Sequence, residues 1–154
     1  MSWDNAHREL QNWGRRTLIR KIRQRLAARK KNASGALSKS TTWNVTSSPT
    51  LLRGTGEAFD YWKWAGNGRP PGGMPPVSKL ERWAKKKGLG KGAGWAVAKK
   101  IQKEGSKDYR EGKENIFLQV INEEQENIEF ITDALMKDAS IEIFTELEKL
   151  QKEN

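Results

Sequence analysis

From Gly66 to Pro76 the chain reads Gly-Asn-Gly-Arg-Pro-Pro-Gly-Gly-Met-Pro-Pro, and neither a helix nor a central strand survives such a run. Each proline removes a backbone donor and fixes φ, while each glycine raises the entropic cost of ordering. The segment is therefore a stiff, shaped loop, and the stretches on either side must find their own packing partners. With 154 residues, the chain can bury one modest core. The expectation is a single α+β domain over 1–154. It has an N-terminal helix within 1–33, a sheet–loop–helix core over 34–107 and a C-terminal helical segment over 108–154.

Before the loop, Leu10, Leu18, Ile22 and Leu26 recur at helical spacing, flanked by Trp3, Trp13 and Ile19, which predicts one long helix over 3–31. Ser2 or Asp4 would cap its start. Arg16, Arg20, Arg23 and Arg25 crowd its remaining faces, together with a closing Arg29-Lys30-Lys31 that the helix dipole favours. These cations form either a solvated basic face or a contact surface for DNA or an acidic partner. Asn32-Ala33-Ser34-Gly35 marks a turn. Polar residues then alternate with Leu37, Trp43 and Val45, a half-buried strand pattern. Ser47-Ser48-Pro49 signals a turn, and Leu51-Leu52 begins a second strand broken at Gly54 and Gly56. Phe59 to Trp64 places aromatics at both odd and even positions, which predicts a third antiparallel strand covered on both faces. Tyr61-Trp62-Lys63-Trp64 with Arg69 also mixes stacking groups and cations as single-strand binders do.

After the loop, Ser78 with Glu81 three residues on suggests a capping box. Leu80, Trp83 and Ala84 would face inward, with Gly88 just past the helix end. Trp95, Val97, Ala98 and Ile101 open a second short helix that stops at Gly105. From Ile116 the chain turns apolar and acidic. Ile128, Ile131, Leu135, Ala139, Ile143, Leu147 and Leu150 then predict a long helix over about 123–151, buried along that stripe, with an irregularity near Asp138 and a solvated acidic face.

Residues 1–113 carry 26 Lys and Arg against 8 Asp and Glu, a surplus of 18, whereas 114–154 carry 3 against 11, a deficit of 8. Such asymmetry implies a polyanionic partner or charge-complementary packing between the two ends. Charged residues make up 31% of the chain and hydrophobic ones 35%, which suits a small core with long solvated helices or a subunit that covers apolar area on partners. The seven Trp fit either a Trp-rich core or an interface.

Little chemistry is encoded. With no Cys and His7 as the single histidine, neither a thiolate nucleophile nor a Cys- or His-based metal site is expected. No catalytic residue, metal ligand or cofactor is assigned. Gly88-Leu89-Gly90-Lys91-Gly92-Ala93-Gly94 lacks the Ser or Thr that must follow the lysine of a Walker loop, and it follows a helix rather than a strand. No membrane span or signal segment is expected.

Three blocks carry a family likeness. The first is Ser34-Gly35-Ala36-Leu37-Ser38-Lys39-Ser40 after a basic helix. The second is an aromatic stretch running into Gly66-Asn67-Gly68-Arg69-Pro70-Pro71-Gly72, then Pro75-Pro76-Val77 and a helix with Trp83 and Lys87-Gly88-Leu89. The third is Trp95-Ala96-Val97-Ala98-Lys99-Lys100-Ile101 leading to Glu104-Gly105-Ser106-Lys107. In this order they resemble the tail-completion, or head–tail joining, proteins of long-tailed bacteriophages. The resemblance implies a non-enzymatic neck protein of the virion, assembled in the host cytoplasm. Copies would close into a ring that joins portal-adaptor proteins to the tail tube or terminator, around the channel for genomic DNA. It points to Trp62, Trp64, Gly68, Arg69, Pro70, Pro71, Pro75, Pro76 and Trp83 as the interface unit, and the charge of the N-terminal helix adds Arg16, Arg20, Arg23 and Arg25 as contacts for DNA or an acidic partner. The alternative expectation is a free-standing basic nucleic-acid-binding module.

Overall fold

A computed structural model describes residues 3–31 and 35–152. Ser2, Asn32, Ala33 and Ser34, invoked above for a cap, a turn and the first family block, lie outside the described residues. Among the described residues the fold is α+β: 67% helical, with one two-stranded antiparallel sheet and long helices at both ends. In order, the elements are α1 (Asp4–Trp13), a π-helical turn (Gly14–Leu18), α2 (Ile19–Ala28), α3 (Ala36–Ser40), β1 (Thr42–Ser48), β2 (Leu51–Glu57), α4 (Trp62–Asn67), α5 (Val77–Lys86), α6 (Ala93–Glu104), α7 (Lys107–Arg110), α8 (Ile116–Glu124), a 3₁₀ turn (Gln125–Asn127) and α9 (Glu129–Lys152). They form two compact units. One is drawn from Met1–Lys21, Thr41–Glu57 and Val120–Asn154, the other from Ile22–Ser40 and Ala58–Gln119.

In the first unit, Ala6, Leu18, Ile19, Val120 and Ala134 are buried. β1 and β2 pair with Trp43 opposite Gly56, Val45 opposite Gly54 and Ser47 opposite Leu52. β2 is not broken at its glycines. The Trp43 ring lies where a side chain at position 54 would project, since a Cβ there would stand 2.1 Å from Trp43 Cζ2. Glycine inside a strand here marks close approach by another group. The same indole lies against the start of the π turn at Gly14, donates from Nε1 to the Leu10 carbonyl in α1 at 3.2 Å, and meets Trp13 edge-on at 5.8 Å. A side chain pressed into the helix at this level accounts for the local π turn.

The second unit is built on Ile22, Leu26, Leu37, Ala84, Ala98, Ile116 and Phe117. α5 and α6 form a hairpin whose backbones nearly touch: a Cβ on Gly94 would stand 2.3 Å from Glu81 N. Gly88, at φ +72°, closes α5, with Leu89 N–H donating to the Ala84 carbonyl at 2.9 Å. α2 ends in the same way at Lys30, a non-glycine residue at φ +55°, with Lys31 N–H donating to the Leu26 carbonyl at 2.8 Å. A side chain in this conformation costs on the order of 1 kcal/mol. Lys30→Gly is therefore expected to raise the thermal midpoint by about 2–4 °C in a melting experiment.

Four further expectations are corrected. The sheet has two strands, not three: Phe59–Trp64 is a turn followed by α4, with Trp62 N–H donating to the Phe59 carbonyl at 2.8 Å. Six residues are too few for period to separate strand from helix. Leu37 sits on α3 rather than a strand. Ser78 does not cap α5, because Pro76 is the N-cap residue and Glu81 Oε1 instead accepts the Trp95 N–H at 2.9 Å. The C-terminal helix breaks at Gln125–Asn127 and runs straight through Asp138.

Candidate interaction surfaces

The proline loop is clasped by its own chain. Arg69 N–H donates to Ser106 Oγ at 2.9 Å, Ser106 N–H returns to the Arg69 carbonyl at 2.8 Å, and Gly72 N–H donates to the Gln102 carbonyl at 2.9 Å. Gly68, buried at φ +89°, makes that approach possible: a Cβ would stand 2.4 Å from both Ser106 Oγ and Tyr109 N. Pro75 is buried, and the carbonyl of exposed Pro76 accepts the N–H groups of Lys79 and Leu80 at 3.1 and 3.3 Å. Trp62 is half-buried edge-on to Phe117, with 5.2 Å between centroids, and Trp83 is half-buried on α5. The loop presents Pro70, Pro71, Gly72 and Gly73 outward, beside exposed Trp64. Lys63 Nζ and the Arg69 guanidinium lie 4.8 and 5.4 Å from the Trp64 ring centroid, contacts worth about 0.5–1 kcal/mol each at an exposed site. Of the nine residues that the family resemblance singles out, Trp62, Gly68 and Pro75 thus build the unit. Trp64, Pro70, Pro71 and Pro76 are exposed, and Arg69 and Trp83 are half-buried.

The basic N-terminal helices use several of their cations internally. Arg23 Nε donates to the Ser38 carbonyl at 2.9 Å. Arg29 Nη1 reaches the carbonyls of Gly66 and Glu114 at 3.0 and 2.8 Å, and its Nη2 reaches Gln119 Oε1 at 3.3 Å. Lys21 pairs with Glu124, and Lys31 with Asp108, which Lys113 also meets at 3.3 Å. Arg16 and Arg20 are exposed, and Arg25 is half-buried. Burial pushes the Asp108 carboxyl upward, but hydrogen bonds and charge from Lys31 and Lys113 outweigh it and hold the group below the ordinary aspartate range.

Three carboxylates missed by the sequence reading are anchors: Asp108, Glu124 and Asp138 are each 4–6% exposed. Asp138 Oδ1 accepts the Asn5 N–H at 3.1 Å and Asn5 Nδ2 at 2.9 Å, while Oδ2 accepts the Ala6 N–H at 2.9 Å. Glu124 therefore departs from the expected solvated acidic face.

The stripe expected to be buried along α9 is buried only in part. Ile131, Leu135 and Ala139 are half-buried, but from Ile143 onward every described residue is exposed. Ile143 is 60% exposed, Phe144 66%, Leu147 49% and Leu150 57%, joined by Met136 and Ile141. The reason is register. α9 packs against α1 with Asp138, midway along it, at the first turn of α1, so the residues of α9 beyond that point run past the start of α1.

Among the described residues, no group of His, Cys, Asp and Glu is arranged to hold a metal ion, and no helix is long and apolar enough to cross a membrane. His7 Nδ1 lies 3.3 Å from Ser47 Oγ at an exposed position. No protein-family model matches the chain, and neither does any curated protein or solved structure.

Proposed function

We propose that this chain is a structural, non-enzymatic subunit that closes into a ring with copies of itself. The ring is of the kind that joins portal-adaptor proteins to the tail of a long-tailed phage around the DNA channel. The observation that carries the self-assembly is the exposed apolar side of α9 beyond Ala134. Six apolar side chains there are 49–66% exposed. Fully burying one such side chain is worth about 1.5–3 kcal/mol, so the half left exposed on six of them holds on the order of 5–9 kcal/mol of unrealised burial. A helical segment this short is marginal in water without a packing partner.

The occupant we assign is a neighbouring copy. Residues 114–154 have a deficit of 8 charges, six of them before Ala134, and the preceding 113 residues a surplus of 18, so the acidic C-terminal segment of one copy is steered toward the basic residues of the next. Such a contact joins two different patches, the geometry that generates rings. The family likeness of the loop and hairpin supplies the phage context. Support for the rival, a free-standing module on Arg16, Arg20, Arg23 and Arg25, is weaker because Arg23 already bonds to its own chain.

Purified protein is expected to sediment as a discrete oligomer and to appear as rings by negative-stain microscopy. Ile143→Glu with Phe144→Glu should weaken association at least tenfold, a loss of about 1.4 kcal/mol or more, with no greater loss of helical signal than fraying of the last turns of α9 accounts for. A wild-type chain that stays monomeric at high concentration would sink the proposal.

A further inference from the structure

We propose that the α5–α6 hairpin is a second, independent interaction surface, one that binds the phosphate backbone of a nucleic-acid duplex without reading its sequence. Residues 77–104 hold nine Lys and Arg against two carboxylates. Both carboxylates are occupied: Glu81 Oε1 accepts the Trp95 N–H at 2.9 Å, and Glu104 Oε2 accepts from Arg110 Nη1 at 3.1 Å. Eight of the nine cations are lysines, and none of the eight forms an ion pair among the described residues. Lys85, Lys86 and Lys87 end α5, Lys91 stands at the tip, and Lys99 and Lys100 line α6, all of them exposed. This is the reverse of the N-terminal helices, where Lys21, Arg23, Arg29 and Lys31 are held by their own chain.

The tip itself is bare backbone. Nothing lies within 4 Å of where a Cβ would stand at Gly88, Gly90 or Gly92. The N–H groups of Gly90, Lys91 and Gly92 have no backbone acceptor among the described residues. A phosphate chain can approach such a loop closely, and lysine ammonium groups serve it as point charges without the fixed fork that carboxylate recognition favours. A lipid surface is a poorer match, because among the large apolar side chains of the hairpin only Leu89 and Trp95 are exposed, too few to make an apolar face that inserts. Trp95, 53% exposed, has Lys99 Nζ 5.7 Å from its ring centroid, a contact that holds this ammonium beside the other exposed cations of α6.

The inference does not depend on ring formation and is tested separately from it. Anisotropy of a labelled duplex of arbitrary sequence, titrated with the full chain, should show log K falling against log salt with a slope of about −4 to −5, as expected for roughly five phosphate contacts. Lys85→Gln, Lys86→Gln and Lys91→Gln together should lower affinity at least ~10-fold and flatten the slope by about 2–3, while the same three changed to Arg retain binding. Arg16→Gln with Arg20→Gln should leave both unchanged. Sedimentation of the same samples reports assembly independently, so a monomer that binds DNA refutes the ring alone. The hairpin proposal is overturned by any of four results: no duplex binding at low salt, wild-type affinity in the triple Gln variant, loss of binding in the Arg16/Arg20 pair instead, or capture by phosphatidylglycerol vesicles that duplex cannot compete away.

Discussion

Asp138→Ala is expected to destabilise the protein by about 3–4 kcal/mol, although the residue sits in the middle of a helix far along the chain. α1 begins at Asp4 with Trp3 as its N-cap residue and no side-chain cap of its own. A helix N-terminus leaves four N–H groups without intrahelical partners. Here the Asp138 carboxylate, on α9, accepts two of them, from Asn5 and Ala6, plus the Asn5 side-chain amide. Charge-assisted bonds of this kind are worth about 1.5–3 kcal/mol each, and a buried donor left unpaired costs about 1–3 kcal/mol. The negative charge also meets the positive end of the α1 dipole. Asp138→Asn keeps an acceptor but not the charge, and roughly half the loss is expected.

The same contact fixes a pH dependence. Burial works to raise the Asp138 carboxyl, but the Ala6 and Asn5 donors and the Arg8 charge prevail and hold it below its ordinary value. A folded-state value below the unfolded one gives stability that is complete above the unfolded value, about 3.9, and is lost as pH falls through the lower folded value. Asp108 acts with the same sign through Lys31 and Lys113. Urea titrations should therefore show a steep fall in stability below about pH 4 that Asp138→Asn makes shallower. A loss under about 1 kcal/mol for Asp138→Ala at neutral pH would show that α1 does not depend on this cap.

What the sequence could reveal followed from how local each signal was. The α5–α6 hairpin was legible because glycines at its joint and apolar residues at helical spacing act over a few residues. The β hairpin was legible in Trp43 and Val45, but Gly54 read as a break because what fills its place is a ring from the partner strand. Phe59–Trp64 was misread because a six-residue aromatic run carries no reliable period. The break at Gln125–Asn127 has no Pro or Gly to announce it, so the helix expected from about 123 ran through it to the apolar rhythm that begins at Ile128. Glu124 fell among other acids at solvent-like positions and Asp138 read as an irregularity, and only the distant donors that meet them distinguish them. In the proposed contacts, the cations of the N-terminal helix were visible as charge, yet their internal acceptors, Ser38, Gly66 and Glu114, are backbone carbonyls that no side-chain pattern marks. The exposed end of α9 read as core because periodicity reports that a face is apolar and says nothing of what covers it.

Gly14→Ala should cost about 2–3 kcal/mol, the opposite of its usual sign. In an exposed helix interior the change to alanine gains close to 1 kcal/mol, since glycine is the poorer helix former. At position 14 the helix has no room: a Cβ would stand 2.0 Å from Trp43 Nε1 and 2.2 Å from its Cδ1. To admit a methyl group the indole must withdraw, which breaks its bond to the Leu10 carbonyl and shifts its edge from Trp13 and from the Gly54 backbone. A double-mutant cycle isolates the cause. In a Trp43→Leu background the clash is gone, so Gly14→Ala should become neutral or stabilising, with a coupling energy of about 2–3 kcal/mol. The π turn should relax in the same background, because the ring pressed against the helix is what displaces the regular hydrogen-bond ladder there. Denaturant midpoints for the four proteins of the cycle measure this directly. Additive effects would mean that the indole does not occupy the space beside Gly14, and that some contact other than this ring locks β1 to the N-terminal helix.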